Sequence, residues 1–339
     1  MQMKHFTFQG NHRRIGAEWG SSLAARKIKI SEHIPFSLTR ERMLFAKQCL
    51  PVYQELFPEI LEEIEGFAQG QGCDPSLLET LLFSMYAMPP ACRCSCFAVS
   101  GKNQVLLGRN SDFLTAREED YGNVLYQFPQ ETPSLSFCGN TTSFIQMEDG
   151  INEAGLAIGM TSVAPTAIQP GFNAGLLLRF LLEKCSTVEN AVSWLGRIPI
   201  ASAQILVLAD LHGAIAQVEC DSLGMVVERP QAEKIYVCGT NLFHLPGMRR
   251  TSPPTADFWR AEERYKTMKA YLEASALDMD VEAAKSLLSG EQGFLCQYDR
   301  TTGQDTVWSV IYDLSGKQVL RAEGNPSRCE YQLDRRLRF

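Results

Sequence analysis

Two neighbouring runs carry most of the structural information in this sequence: Cys94-Ser-Cys-Phe-Ala-Val-Ser100 and Val105-Leu-Leu-Gly-Arg-Asn-Ser-Asp-Phe113. Both runs have the composition of β-strands, and the Gly101-Lys-Asn segment between them is typical of a turn, so the pattern predicts a hairpin. In the first run and just before it, cysteines stand at positions 92, 94 and 96. Residues two apart share one face of a strand, so these three thiols form the densest chemical feature of the chain.

The chain before Cys94 has a mainly helical pattern. Apolar residues at helical spacing predict a helix that begins at Pro58 and that Gly70 and Gly72 stop. A second apolar segment runs from 77 to 88, where Pro89-Pro90 ends it. The glutamates of the first helix indicate a solvated face, and they are Glu59, Glu62, Glu63 and Glu65.

Short strand signals dominate the chain after Cys94. Beyond the hairpin, we expect strands at 123–128, 143–147, 155–163, 203–209, 215–219, 225–228, 234–237, 306–312 and 319–322. Helical patterns interrupt them at 175–185, at 260–276 and at 281–288, and Ser186-Thr-Val-Glu189 is a capping box that opens a further helix to Leu195. Strands paired locally around helical blocks predict an antiparallel α+β sandwich.

Composition excludes several classes of protein. The chain has 339 residues, 45% hydrophobic and 21% charged, which is a globular profile with room for one or two domains. The net charge of −7, without a long basic run, argues against nucleic acid as a partner. We identify neither a signal peptide nor a stretch that spans a membrane, and eleven cysteines, an odd number, favour reduced thiols, so we expect a cytoplasmic protein.

The cysteine cluster has three interpretations on its residues alone. Free cysteines are often buried as small apolar side chains, which needs no function. A zinc site requires a partner cluster and the usual two-residue spacing between cysteines, which the sequence lacks. Nucleophilic catalysis by one thiolate requires a base, and of the five histidines His212 and His244 stay open for that role.

The residues of the hairpin carry a resemblance to a known group of enzymes. Cys94-Ser-Cys-Phe-Ala, followed by Gly108-Arg-Asn-Ser-Asp-Phe113, resembles the nucleophile region of the linear-amide hydrolases. That group includes the choloylglycine hydrolases, the acid-ceramidase-type amidases and the acyl-CoA:6-aminopenicillanic acid acyltransferases of peptidase family C45. The gap from Cys94 to Asp112 is most similar to the penicillin-acyltransferase branch, and four further stretches resemble the family in the same order: Gly10 to Gly20, Asn152-Glu-Ala-Gly-Leu156, Leu208 through Thr240-Asn241, and Thr306 through Gly324-Asn-Pro326.

The resemblance implies an N-terminal-nucleophile hydrolase with a four-layer αββα sandwich. It divides the chain into a helical N-terminal segment, 1–93, and a hydrolase core, 94–339. Such a chain cuts itself between Arg93 and Cys94, and the freed α-amine of Cys94 then serves as the base for its own thiol, since its pKa lies near 8. The penicillin-acyltransferase branch often has glycine before the nucleophile, and Arg93 departs from that pattern.

The resemblance also assigns roles to individual residues. Asp112 is expected to orient the new amino terminus, and Arg109 to lower the pKa of the neighbouring thiol. Asn241 resembles the oxyanion asparagine of the family, and backbone N–H groups near Met160–Ser162 are expected to complete the oxyanion hole. Thr161 and Arg264 are candidates for substrate contact, although pairing with acidic neighbours on the helix surface is the expected role of Arg264.

These observations together predict an enzyme that cleaves or transfers the acyl group of a linear amide or acyl thioester through a Cys94 thioester. No metal and no organic cofactor is implied, and the expected partner is a small-molecule amide or thioester, with a homo-oligomer left open. Irregular segments around 114–141 and 164–175 are expected to line the substrate pocket, near Tyr121, Phe128 and Phe172, although each of these aromatics also fits an ordinary core. The alternative is an unprocessed, non-catalytic small-molecule-binding protein of the same fold.

Overall fold

Two β-sheets lie against each other in the computed structural model, which describes residues 4–88, 93–230, 235–249, 257 and 259–339. The strands are β1 (Lys4–Gln9), β2 (Arg93–Ser100), β3 (Val105–Leu114), β4 (Gly122–Gln127), β5 (Phe137–Thr141), β6 (Asp149–Asn152), β7 (Leu156–Val163), β8 (Ala203–Asp210), β9 (Ile215–Asp221), β10 (Gly224–Glu228), β11 (Tyr236–Gly239), β12 (Gln304–Asp313), β13 (Gln318–Ala322) and β14 (Gln332–Asp334). Pro89-Pro90, the predicted end of the second helix, and Cys92 lie outside the described residues.

The strand order defines an eight-stranded and a six-stranded sheet. The first has the order β1-β4-β5-β6-β7-β8-β9-β10, and the second has the order β11-β2-β3-β12-β13-β14. Neighbouring described strands pair in antiparallel fashion, apart from β1, which lies parallel to β4. The predicted hairpin is confirmed, because the whole of β2 pairs with β3, with Cys94 opposite Ser111 and Cys96 opposite Arg109.

Helices cover the outer face of each sheet. They are α1 (His12–Ala25), α2 (Arg40–Leu56), α3 (Pro58–Gln71), α4 (Pro75–Ser84), α5 (Ala174–Lys184), α6 (Val188–Leu195), α7 (Ala261–Ser275) and α8 (Val281–Leu288). One apolar core joins α1 to α6 with the eight-stranded sheet, and another joins α7 and α8 with the six-stranded sheet. A third core lies between the sheets and contains residues of β2, β3, β7, β8 and β12. The predicted four-layer αββα sandwich is therefore confirmed.

The structure corrects the predicted pattern of the N-terminal segment. A strand, β1, precedes the first helix and adds an edge to the eight-stranded sheet, although the sequence before Cys94 predicts mainly helices. The helix from Pro58 ends at Gln71 and is capped by Gly72, whose φ of +66° is left-handed, whereas Gly70 lies inside the helix. Glycine suits the left-handed position because it has no Cβ to clash there.

Gly70 serves instead in a close contact between α1 and α3. A Cβ on Gly70 would lie 2.5 Å from the carbonyl oxygen of Ala17, and one on Gly16 would lie 2.0 Å from that of Glu63. Gly20 and Gly66 are equally close to the facing backbone. The glycines in the opening segment of the chain therefore allow two helices to pack backbone to backbone, which any larger residue would prevent.

Two further expectations after Cys94 are wrong in detail. Residues 143–147 form turns rather than a strand, and the strands of this region are β5 before them and β6 after them. Phe144 has a left-handed φ of +59°, which is incompatible with a strand. The capping residue of α6 is Thr187, whose hydroxyl accepts from the Asn190 N–H, rather than Ser186.

The predicted solvated face of α3 is wrong for Glu63. This residue is fully buried, and its carboxylate accepts from Arg179 Nη2 of α5 at 2.7 Å and from the Tyr126 hydroxyl at 3.0 Å. Arg179 also pairs with Glu183, which accepts from His12 Nε2 at 2.8 Å. This buried cluster of two cations and two carboxylates joins α1, α3 and α5. Helical periodicity cannot reveal it, because the partner of Glu63 is 116 residues away.

The His12–Glu183 pair makes stability dependent on pH. Burial lowers the pKa of His12, but the neighbouring carboxylates of Glu183 and Glu63 outweigh burial and raise it. A histidine whose folded pKa is raised stabilises the fold fully below its unfolded pKa, about 6.5, and this contribution is lost as pH rises through the folded pKa. The His12→Gln variant removes that charge, at a cost of about 2 kcal/mol at low pH.

We therefore expect the difference in Tm between wild type and His12→Gln to be largest below about pH 6.5 and to shrink as pH rises. Thermal unfolding followed by circular dichroism over a pH series measures it. His33→Gln, on an exposed histidine of the same segment, is the matched control. A Tm difference that is equal at every pH would show that the imidazolium makes no contribution.

Candidate active site

Cys94 is the second residue of β2 and points into the space between the two sheets. Its side chain is fully buried, and so is that of Cys96 two residues on. The thiol sulfur accepts a hydrogen bond from Arg109 Nη2 of the neighbouring strand β3 at 2.7 Å. The hairpin register brings Cys94 and Arg109 together. Arg109 lies directly opposite Cys96, and Cys94 is two residues before Cys96 on the same face of the strand. The motif that suggested a nucleophile therefore forms one compact group.

The Arg109 guanidinium is held from three sides. Its Nε donates to the Met160 carbonyl of β7 at 2.9 Å, and its Nη1 donates to the Asp149 carboxylate of β6 at 2.8 Å. The side chain crosses from the six-stranded to the eight-stranded sheet beside Gly159, where a Cβ would lie 2.5 Å from the Cys96 sulfur. Glycine at 159 thus leaves room for the Cys96 sulfur and for the Arg109 side chain, whose Cδ would lie 3.3 Å from such a Cβ.

Burial dominates the protonation of the thiol. It raises the pKa of Cys94 to about 12, although the adjacent Arg109 charge pulls it down. The expected effect of Arg109 is therefore present in direction but is smaller than the cost of burying a thiolate. With its backbone nitrogen in a peptide bond, Cys94 is accordingly a thiol near neutral pH, and a nearby base is required to ionise it.

Asn241 holds the backbone of Cys94. It follows β11, and its Oδ1 accepts from the Cys94 backbone N–H at 3.1 Å, while its Nδ2 donates to the Ser162 carbonyl at 2.8 Å. The amide therefore bridges the nitrogen of the Arg93–Cys94 peptide bond to β7. Thr161, the neighbour of Ser162, donates its hydroxyl to the Thr240 carbonyl, so it fixes the residue before Asn241.

Arg264 lies in the same site, and its expected place on the helix surface is wrong. Its side chain is fully buried on the inner face of α7. Its Nη1 donates to the Cys94 carbonyl at 2.6 Å, and its Nη2 donates to Asn241 Oδ1 at 2.9 Å. Arg264 thus contacts the main chain of the candidate nucleophile and the side chain that holds its nitrogen. The helical pattern of α7 does not distinguish this inward arginine from its exposed neighbours.

Asp112 completes the group from the end of β3. It lies opposite Arg93 in the sheet, and its carboxylate is 3.4 Å from Arg264 Nη1. The Thr306 hydroxyl donates to it at 2.6 Å and the Tyr298 hydroxyl at 3.1 Å. Burial raises the pKa of Asp112, and Arg264 and these two donors oppose that rise. The four residues predicted to be catalytic, which are Cys94, Arg109 and Asp112 of the hairpin and Asn241, therefore converge around the Arg93–Cys94 bond.

Several polar residues of the site are absent from the sequence-based prediction. Asp149 accepts from Trp308 Nε1 at 3.0 Å and the Tyr312 hydroxyl at 2.7 Å, in addition to Arg109. Glu148, the residue before it, lies 3.4 Å from Arg109 Nη2. In the sequence, the one indication of these residues is the pair of adjacent acids, Glu148-Asp149, inside an apolar region. Their partner, Arg109, is about 40 residues away. No local pattern indicates such a pairing.

The histidines considered as bases have other partners. His244 pairs with Glu262 at 3.0 Å and stacks on the Tyr265 ring. His212 lies in the turn after Asp210, which is paired with Leu156, whereas Asn241 contacts Ser162 at the other end of β7. Leu156 and Ser162 are six residues apart along β7, which corresponds to about 20 Å at the usual rise of a strand. Among the described residues, no three His, Cys, Asp or Glu side chains form a group that suits a metal ion.

The three aromatics proposed to line the substrate pocket lie in different surroundings. Tyr121, which lies in the segment 114–141, packs on Trp308 and lines a cavity of about 220 Å³. Thr306, the donor to Asp112, lines the same cavity. Phe128 and Phe172 are buried core residues, because Phe128 stacks on His12 and Phe172 packs on Tyr53. Of the three aromatics, Tyr121 therefore has the most direct connection to the site.

Removing Arg264 tests the buried ion pair with Asp112. Arg264→Met leaves the Asp112 carboxylate buried with two hydroxyl donors, so we expect a loss of about 3–5 kcal/mol in the free energy of unfolding. Asp112→Asn in the same chain removes the stranded charge and is expected to recover part of that loss. Urea unfolding of the single and double variants measures the coupling, with Cys94→Ala in every chain so that all have the same covalent structure. Additive losses would show that the two groups do not interact.

Comparison with known families identifies the chain. Residues 99–328, about two thirds of it, match the model of the family described as acyl-coenzyme A:6-aminopenicillanic acid acyl-transferase. The chain belongs to this family, and the resemblance noted from the hairpin motif is confirmed. The matched region contains Arg109, Asp112, Asn241 and Arg264, and it begins after Cys94. Membership supports an amidase or acyltransferase activity of the N-terminal-nucleophile type.

Solved structures of similar fold come from several enzymes. A Caenorhabditis elegans N-acylethanolamine-hydrolyzing acid amidase ortholog has 14% identity and a TM-score of 0.46, over 66% of this chain and 93% of that one. A conjugated bile acid hydrolase from Clostridium perfringens has 14% identity and a TM-score of 0.48, over 71% and 96%. Penicillin V acylase from Agrobacterium tumefaciens has 16% identity and a TM-score of 0.44, over 68% of this chain and 83% of that one.

No curated protein sequence matches the chain significantly. The described helices include none with the length and apolar character needed to cross a bilayer.

Proposed function

We propose that the chain cuts itself before Cys94 and then acts as a cysteine N-terminal-nucleophile enzyme on linear amides or acyl thioesters. One observation carries the proposal: the Cys94 sulfur and the Cys94 nitrogen are held separately, by Arg109 at 2.7 Å and by Asn241 at 3.1 Å. An enzyme of this type needs the thiol as nucleophile and the nitrogen as base, so both atoms require fixed positions. A thiol that is only a small core residue needs neither contact.

The freed α-amine is the base of the mature enzyme. Its unperturbed pKa is about 8, whereas the peptide nitrogen in the uncut chain has no basic lone pair. After the cut, the amine takes the thiol proton, and the thiolate attacks the carbonyl carbon of the substrate. The resulting ammonium then protonates the leaving amine, and an acyl thioester remains on Cys94. Water or a second amine attacks this thioester and regenerates the thiol.

The surrounding residues supply charge and position. Arg109 stabilises the thiolate, and Asn241 donates to the oxyanion, since its Nδ2 carries a second N–H beside the one bonded to Ser162. Arg264 fixes the Cys94 carbonyl and the Asn241 amide in one geometry. Asp112, against Arg264, balances the charge of that arginine and of the new ammonium. Thr161 supports Asn241 through the Thr240 carbonyl.

Residues 1–93 remain bound after the cut as a second subunit in this proposal. β1 pairs with β4 along its length, and α1 to α4 share one apolar core with α5 and α6. The buried His12, Glu63, Arg179 and Glu183 cluster also spans the two parts. Separation of the two parts would expose this apolar surface to water, at a free-energy cost of about 25 cal/mol per Å². This cost strongly opposes dissociation.

Intact-mass spectra under denaturing conditions test the cut. We expect two fragments that divide between Arg93 and Cys94 in the wild-type protein, and one uncut mass in Cys94→Ala. Cys96→Ala is the matched control, because it removes the next thiol on the same strand face and leaves the scissile bond intact. A single mass in the wild type would remove the free α-amine from the mechanism and favour a binding protein of the same fold.

Asn241→Ala tests the oxyanion role. Removal of one oxyanion donor costs about 10²–10³ in rate, so we expect kcat to fall by that factor with little change in KM. The assay uses a panel of N-acyl amides, β-lactams and acyl thioesters, with activity expressed per mole of cleaved chain. Asn103→Ala, at the exposed turn between β2 and β3, is the control. An unchanged kcat would assign oxyanion binding to other donors.

A further inference from the structure

Self-cleavage has a requirement that the mature reaction does not. Before the cut, the Cys94 nitrogen is part of the Arg93–Cys94 peptide bond, so it cannot accept the thiol proton. The thiol is also hard to ionise, because burial raises the pKa of Cys94 to about 12. Maturation, on the proposed function above, therefore needs a separate proton acceptor in the uncut chain. Carboxylates close to the sulfur are the candidates.

In the part of the chain that the structure describes, three buried carboxyl groups surround Cys94 and Arg109, and two of them are bound by other donors. Asp149 accepts four hydrogen bonds, from Arg109, Trp308, Tyr312 and Asn140, with donor distances of 2.5–3.0 Å. Asp112 is bound by Thr306 and Tyr298 and lies against Arg264. In both residues, hydrogen-bond donors at 2.5–3.1 Å occupy the two carboxylate oxygens.

Glu148 differs from these two in how its oxygens are held. Its Oε1 accepts from the Thr142 hydroxyl at 2.5 Å, the Thr142 N–H at 3.2 Å and the Tyr86 hydroxyl at 3.3 Å. Among the described residues its Oε2 has only long contacts, 3.4 Å to Arg109 Nη2 and 3.5 Å to the Ser111 hydroxyl. That same Nη2 donates to the Cys94 sulfur, and Ser111 lies opposite Cys94 in the sheet. One loosely held oxygen therefore faces the group that contains the thiol.

We propose that Glu148 accepts the thiol proton of Cys94 during self-cleavage, and so acts in maturation rather than in turnover. The carboxylate takes the proton, and the sulfur bonds to the Arg93 carbonyl carbon through a five-membered ring. The carbon–nitrogen bond then breaks, the nitrogen receives the proton back from Glu148, and a thioester joins Arg93 to Cys94. Water hydrolyses this thioester to the Arg93 carboxylate and the Cys94 thiol, so one water is consumed and Glu148 is regenerated.

A contact from the upstream side of the scissile bond supports this assignment. Tyr86, eight residues before Cys94, is buried with a left-handed φ of +58° and directs its hydroxyl at Glu148 Oε1. A left-handed conformation costs a non-glycine residue about 1–2 kcal/mol, so the surroundings must hold Tyr86 in it. Glu148 thus contacts the strand pair of the nucleophile on one side and the segment to be cut from it on the other.

The electrostatic environment suits a proton acceptor. The groups that face Glu148 are Arg109 of β3, Asp149 of β6, the Cys94 thiol of β2, and the hydroxyls of Thr142, Ser111 and Tyr86. Burial raises the pKa of Glu148, and Arg109 opposes that rise. A carboxylate with a raised pKa is a stronger base toward a thiol. Below that pKa the group holds its proton and cannot act, so the cut is expected to slow as pH falls.

Time courses of the cut in freshly made chains test the proposal. The chain is synthesised in a short cell-free pulse, synthesis is stopped, and aliquots are shifted into buffers spanning about pH 5–9 before denaturing electrophoresis. We expect Glu148→Gln to slow cleavage at least about 10²-fold and to lose the acid limb of the wild-type pH profile. Glu148→Asp retains a carboxylate and is expected to recover part of the rate. Glu219→Gln, on a buried acid of β9, is the matched control.

The outcomes separate this proposal from the proposed function. A wild-type chain that is never cut would overturn self-cleavage itself. A wild-type chain that is cut, with Glu148→Gln cut at the same rate and pH profile, would overturn only the role of Glu148. Equal slowing in Glu148→Asp and Glu148→Gln, with the pH profile retained, would show a packing role instead. Thermal unfolding of each variant in a Cys94→Ala background verifies that the chains compared are folded.

Discussion

The buried guanidinium of Arg109 is the interaction on which the site depends. Its three donor nitrogens connect the Cys94 sulfur on one sheet with Met160 and Asp149 on the other. A cation so deeply buried loses its hydration, so it is stable only where carboxylates and carbonyls replace the lost water. The two sheets must therefore be in register before Arg109 is satisfied. In this sense one side chain links the assembly of the sandwich to the assembly of the thiol site.

Arginine has the same structural role at two other places in the described chain. Arg264 joins α7 to the start of β2, and Arg179 joins α5 to α3. In each case the guanidinium is fully buried and lies against at least one carboxylate. Breaking a buried pair leaves an uncompensated charge, which costs far more than a surface pair contributes. These contacts therefore specify which elements pack together, in addition to stabilising them.

The sequence predicted the local features well and the distant ones poorly. The β2–β3 hairpin, α8 and the convergence of Cys94 and Arg109 follow from residues that are close in the chain. β1 was missed because its partner β4 is more than 110 residues away. Glu63 and Arg264 were both expected on helix surfaces, since helical spacing identifies an apolar stripe but not a charge that finds a distant partner. Glu148 was missed because its charged partner, Arg109, is also distant in the sequence.

The parallel pairing of β1 with β4 has a consequence for refolding. In the uncut chain, β1 is tethered to its partner, so folding is a unimolecular process with a fixed loop-closure cost. A chain severed before Cys94 would unfold into two separate molecules, and its recovery would depend on their concentration. The severed form would then persist because it unfolds slowly, rather than because it re-forms readily. After self-cleavage, the folded protein would therefore be maintained by a high barrier to unfolding rather than by a reversible folding equilibrium.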